Sequence, residues 1–164
     1  MNEPALTDDL RDLYQDLILD HGKHPRNFRA IPEANCEALG HNPLCGDKLV
    51  LYLTVDDNGL IEDAAFQGSG CAISMASASM MTEMLKGKSA AEVQKLFDYF
   101  HGLCTDCFKE TASAEKALSE DDIARLQALA GVRHYPVRVK CATLPWRTLQ
   151  AALDPHGTKK VATE

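Results

Sequence analysis

Asn42-Pro43-Leu44-Cys45-Gly46-Asp47 opens, and Gly68-Ser69-Gly70-Cys71-Ala72-Ile73-Ser74 closes, the stretch whose reading decides the fold. Between the two, Leu49, Leu51, Leu53 and Val55 alternate along one face, Asp57-Asn58-Gly59 is a turn signal, and Leu60 to Phe66 returns the chain. This is the pattern of a β-hairpin. A hairpin brings the start of its first strand beside the end of its second, so Cys45, Asp47 and Cys71 should share one edge of a sheet. Two thiols and a carboxylate there make a potential metal site that lacks a fourth ligand. The place to seek it is near the C-terminus, in Val137-Arg138-Val139-Lys140-Cys141-Ala142-Thr143-Leu144.

A chain of 164 residues is long enough to bury a proper core and short enough to be one domain, here expected over 1–153, with a disordered tail over 154–164. The formal net charge of −7, with no basic run to offset it, argues against nucleic acid as a partner. Residues 64–82 carry no charge, but Gly68-Ser69-Gly70 breaks them and Gln67 interrupts them, so they read as a strand end and a buried helix rather than a membrane span. Glu3, Asp8 and Asp9 at the start, with no apolar run behind them, do not read as an export signal. The six cysteines are therefore expected to be cytoplasmic thiols or metal ligands, not a disulfide framework.

Outside the hairpin the periodicity is helical. Thr7 can cap a helix carrying Leu10, Leu13, Tyr14, Leu17 and Ile18, with Gly22 as its end and Pro25 as its stop. His21 and His24 near that end read as ordinary polar residues rather than ligands. Residues 28–41 read as loop with a short edge strand around Cys36, itself a half-buried apolar filler. Ile73, Ala76, Met80 and Met84 form a core stripe on the helix after Cys71. Ser89-Ala90-Ala91-Glu92 is a capping box for a helix carrying Val93, Leu96, Phe97 and Phe100 and ending at Gly102. Ser119 to Asp122 caps another, through Ile123, Leu126 and Leu129 to Gly131, and a last helix is expected from about Ala142, with Pro145 in its first turn. Strands gathered early and helices later predict an α+β fold, a small three-stranded antiparallel sheet packed against several helices.

Asn-Pro-x-Cys-Gly-Asp, Gly-x-Gly-Cys-Ala-Ile-Ser and Pro-x-Arg-x-Lys-Cys-Ala, in that order, resemble the three cysteine motifs of the iron–sulfur assembly proteins related to IscU, and within them the SufU branch. Leu13-Tyr14 to His21 and Pro25-Arg26-Asn27 are similar to that family's first helix and following loop. The resemblance implies an IscU/SufU-like sandwich over most of residues 10–153. It implies Zn²⁺ on Cys45, Asp47, Cys71 and Cys141, and a pyridoxal-phosphate cysteine desulfurase, SufS-like, that passes persulfide sulfur to Cys45. In that branch a histidine of the desulfurase is thought to take the acceptor cysteine's place on the metal. The chain would relay sulfur to downstream iron–sulfur assembly proteins as a sulfurtransferase partner, not as an autonomous enzyme.

The residues also bear on the alternatives. A purely architectural zinc usually sits on tight Cys-x₂₋₄-Cys pairs, whereas these ligands are far apart and include a carboxylate. An IscU-like scaffold would assemble a [2Fe–2S] cluster on the same cysteines, but IscU-type proteins place His before the third one, where this chain has Lys140. A protonated lysine is a poor ligand, and the long segment between Leu85 and Gly131 also favours the sulfur-relay branch. A zinc-stabilised interaction module without sulfur chemistry is the third reading. Cys104-Thr105-Asp106-Cys107 is a lone C-x-x-C outside the three motifs and reads as incidental.

Overall fold

The structure, a computed structural model, describes residues 8–105, 111, 114–154 and 160–162. Its elements run α1 (Asp8–Lys23), β1 (Cys36–Asn42), β2 (Asp47–Val55), β3 (Ile61–Ser69), α2 (Ala72–Leu85), α3 (Ala90–Thr105), α4 (Glu120–Leu129), a 3₁₀ turn (Ala130–His134), α5 (Pro136–Leu153) and β4 (Lys160–Ala162). The fold is α+β, as expected, with helices on one side of a sheet whose strand order is β3-β2-β1-β4.

The hairpin is where the alternation puts it. Leu49, Leu51 and Leu53 are buried on the inner face of β2 and Lys48 is exposed on the outer face. Gly59 turns the chain at φ 81°, and the Asp56 carboxylate accepts the N–H groups of Asn58 and Leu60. Pairing Lys48 with Ser69, and Asn42 with Asp47, draws the loop 43–46 and the turn into α2 to one edge. β1 is a full antiparallel partner of β2, not a marginal strand, and β4 pairs with it in parallel through Leu39–Lys160 to His41–Ala162. That fourth strand falls within the segment expected to be a disordered tail. Its sequence carries no strand pattern of its own, and the exposed edge of β1 supplies the hydrogen-bonding partners.

α2 and α5 cover the inner face. α2 is buried nearly all round, with Ala76, Met80 and Met84 of the expected stripe in the core, Ile73 half-buried against it, and Met81 buried as well. α5 lies close over β1 at Gly40, where a Cβ would stand 2.2 Å from Thr148 Oγ1. The Ser89–Glu92 capping box forms reciprocally, with Glu92 N–H donating to Ser89 Oγ and Ser89 N–H to Glu92 Oε1. Ser119 caps α4 by accepting from Asp122 N–H.

Several expected helix ends move, two of them because the helix runs on through a glycine. α1 continues past Gly22 to Lys23, and Gly22 instead allows close approach of α2, its would-be Cβ 3.1 Å from Ala72 O. Gly102 is buried inside α3, which runs on to Thr105. α5 begins at Pro136, not near Ala142, so Pro145 lies inside the helix rather than in its first turn. The Thr7 cap and Cys107 lie outside the described residues. Among the described residues no helix is long and apolar enough to cross a membrane.

Candidate metal centre

The loop after β1, the start of β2, the entrance to α2 and the second turn of α5 meet at one edge of the sheet. Ligand atoms of Cys45, Asp47 and Cys141 all lie within 4.8 Å of one another. Cys71 is adjacent but less tightly gathered, its Sγ 3.9 Å from Asp47 Oδ2. Cys36 and Cys104 are outside this group, Cys36 half-buried on β1 and Cys104 buried in α3.

Each side chain is held differently. Gly46, at φ 69°, lets the loop turn between Cys45 and Asp47, a conformation that costs other residues about 1–2 kcal/mol. Asp47 is 1% exposed, and its Oδ1 accepts Cys71 N–H at 2.8 Å, which leaves Oδ2 turned toward the sulfurs. Gly70 makes room for that carboxylate: a Cβ there would stand 2.4 Å from Asp47 Oδ1. Cys71 is the N-cap of α2, as expected, with Ser74 N–H directed at its sulfur over 3.5 Å. The N-terminal end of a helix favours negative charge at that position.

Cys141 is not at a helix N-terminus, contrary to the sequence expectation. It sits in the second turn of α5 and is fully buried, so the helix-end argument for a thiolate does not apply to it. Burial pushes its thiol well above the ordinary cysteine range, and hydrogen bonding to Cys45 and Asp47 and the charge of Cys71 push the same way. Cys45 and Cys141 have their sulfurs 3.2 Å apart. Pro145, which has no N–H, cannot donate to the Cys141 carbonyl four residues earlier, so α5 continues to Leu153 with one rung of its hydrogen-bond ladder missing at Cys141. At the next residue, Ser77 Oγ donates to Ala142 O at 2.6 Å and ties this part of α5 to α2.

Two further groups belong to the centre and were not singled out as site residues from sequence. Asn42, fully buried, directs its amide nitrogen at Cys141 Sγ over 3.5 Å. Arg138, one turn before Cys141, has its guanidinium held above its usual range by hydrogen bonding to Cys141 and by the negative potential of Cys71 and Cys45. A polar residue on the inward register of a strand end was the signal for Asn42. For Arg138 the signal was its place in Pro-x-Arg-x-Lys-Cys-Ala, the third of the quoted motifs.

The donor set suits a tetrahedral divalent cation. Three sulfurs and one carboxylate are a zinc-type set, and three thiols this close to a carboxylate can give up their protons together only when a cation joins them. Ligands about 2.3 Å from a shared tetrahedral centre place their sulfurs about 3.8 Å apart. The Cys45–Cys141 pair would therefore open by roughly half an ångström.

Residues 13–142 match the family model described as the NifU-like N terminal domain. The chain is 37% identical over 141 residues to the zinc-dependent sulfurtransferase SufU of Bacillus subtilis, covering 86% of this chain and 89% of the relative. It is 36% identical over 155 residues to the iron–sulfur cluster assembly scaffold protein IscU of Streptococcus pyogenes, covering 94% and 91%. Among solved structures it is similar to the SUF-system iron–sulfur cluster assembly scaffold protein of Fervidobacterium islandicum, with TM-score 0.74 and 32% identity over 88% of this chain and 98% of that one. With this fold, these cysteine motifs and this breadth of likeness, the chain belongs to the NifU-like N-terminal domain family of iron–sulfur cluster assembly proteins, alongside SufU and IscU.

Proposed function

We propose that this chain is a zinc-dependent sulfur acceptor that takes persulfide sulfur from a pyridoxal-phosphate cysteine desulfurase at Cys45 and relays it to iron–sulfur assembly proteins in the cytoplasm. The observation that carries the reading is the convergence of Cys45, Asp47 and Cys141, with Cys71 beside them, in a centre where one sulfur sits on a loop beside a glycine rather than on a helix. Cys45 lies half-exposed in a glycine loop, whereas Cys141 is buried in a helix and Cys71 caps one. Bound zinc would hold these thiols as thiolates at neutral pH.

The chain's own residues divide the work. Asp47, fixed through Cys71 N–H, and Cys141, fixed in α5, form the rigid wall of the site. Cys45, beside Gly46, can swing outward. Its thiolate attacks the outer sulfur of the desulfurase persulfide. The new S–S bond forms on Cys45, the desulfurase S–S bond breaks, and the electron pair leaves with the desulfurase cysteine as thiolate. No oxidant or reductant is consumed.

Metal analysis of protein purified without added metal tests the zinc, with about one per chain expected. Peptide mapping by mass spectrometry after incubation with desulfurase and cysteine tests the acceptor. Native iron, or persulfide mainly on Cys71 or Cys141, would overturn the reading. The likeness to IscU of Streptococcus pyogenes favours a second reading, a scaffold for a [2Fe–2S] cluster on the same cysteines. Lys140, in the place before Cys141, offers an ammonium rather than an imidazole. Anaerobic reconstitution with iron and sulfide separates the two.

A further inference from the structure

Asn42 ends β1 with its side chain on the inner face, 0% exposed. Burying a primary amide is costly unless its donors and acceptor are used. Its Oδ1 accepts Leu44 N–H at 3.2 Å and its Nδ2 faces Cys141 Sγ at 3.5 Å. The orientation follows from chemistry: a backbone N–H can only donate, so the oxygen must face Leu44 and the nitrogen must face the sulfur. Across the sheet Asn42 is the register partner of Asp47. One amide thus meets the sulfur of one candidate ligand, the backbone beside a second and the strand carrying a third.

Its action on the two cysteines is unequal. It reaches Cys141 through the sulfur itself, and Cys45 through the backbone of the preceding residue. An N–H directed at a thiolate draws off charge, orients the sulfur and blunts it as a nucleophile. We infer that Asn42 is a positioning residue that makes Cys141 the sulfur that stays and leaves Cys45 as the sulfur that reacts. It touches no reacting atom. The inference rests on the proposed metal centre.

Asn42→Asp keeps an oxygen for Leu44 N–H and removes the donor to Cys141. Asn42→Ser is smaller, removes the amide and settles the question if the charged variant does not fold. In the zinc-loaded full chain, zinc transfer to a chromophoric chelator is followed, and a short iodoacetamide pulse is mapped by peptide mass spectrometry. Loss of a supporting hydrogen bond of this kind typically weakens metal binding about 10–100-fold. The expected result is zinc transfer faster by that order, with Cys141 labelling rising at least about tenfold relative to Cys45. Wild-type transfer and Cys45-first labelling in a folded variant would overturn the inference. Faster transfer with Cys45-first labelling unchanged would show general loosening, and would overturn it too. A wild-type chain that takes up no zinc would instead overturn the metal reading underneath.

Discussion

Gly70→Ala should weaken zinc binding without replacing any of the four candidate ligands. A Cβ at Gly70 would stand 2.4 Å from Asp47 Oδ1, 2.7 Å from Ser74 Oγ and 3.1 Å from Asp47 Cβ. Ordinary contact begins at about 3.4 Å, so the carboxylate or the turn must give by about 1 Å. Metal ligation tolerates only about 0.2 Å, and the hydrogen bond from Cys71 N–H to Asp47 Oδ1 breaks with the same movement. A hydrogen bond to a charged group contributes about 1.5–3 kcal/mol, which converts to a loss of zinc affinity of roughly 10–150-fold. Competition against a chromophoric chelator measures it directly. Gly131→Ala is the control, since a Cβ there meets nothing within 4 Å, and it should leave affinity unchanged. A Gly70→Ala protein that binds zinc within twofold of wild type would refute the idea that Asp47 is held in place by the space at Gly70.

Cys45→Ser should abolish acceptance of desulfurase sulfur even where some zinc is retained, whereas Asp47→Ala should lower zinc content first and sulfur acceptance in consequence. Parallel metal analysis and persulfide mapping read the two apart, and a persulfide-bearing Cys45→Ser protein would count against the acceptor assignment. The Cys104→Ser, Cys107→Ser double variant should keep its zinc, because Cys104 sits in the core face of α3 away from the centre. Its melting temperature should fall modestly, by the few degrees that correspond to about 1 kcal/mol for a polar group placed in a core. His21 gives a pH signature. Burial holds its pKa below the usual histidine value, with Arg26 adding to the effect and Glu83 and Asp20 opposing it. The neutral ring, bonded to Ser79 Oγ at 2.7 Å, stabilises the fold above the unfolded pKa near 6.5. That contribution is lost as pH falls from there through the lower folded value, because the unfolded chain binds the proton more readily. Urea midpoints measured across this window should drop for wild type and drop less for His21→Gln, and parallel curves would argue against it.

The hairpin and the three cysteine motifs were legible because their signals are local. Alternation at Leu49, Leu51 and Leu53 fixes which face is buried, and the register then places Cys71 beside Asp47. What escaped was set by packing between distant elements. His21 reads as a polar helix end, yet it is buried because Ser79 lies beneath it on α2. Gly102 and Gly22 look like helix stops, but each lies where a neighbouring surface needs the space or continues the helix across it.

The start of α5 is the instructive case. Val137 and Val139 have extended propensity and Pro145 argues against a helix interior, so local rules begin the helix at Ala142. The structure begins it six residues earlier, which takes Cys141 from a helix end, where a thiolate is favoured, into a buried second turn, where it is not. The consequence is chemical. A sulfur held in a helix interior, faced by Asn42 and burdened by burial, is suited to remain bound, while the sulfur preceding Gly46 in an open loop is suited to move. Had Cys141 capped its helix as Cys71 does, those two sulfurs would be near equals in accessibility and charge. The displaced helix start therefore makes the centre asymmetric, and the proposed function draws on that asymmetry: one cysteine would act as the acceptor while the others keep the metal.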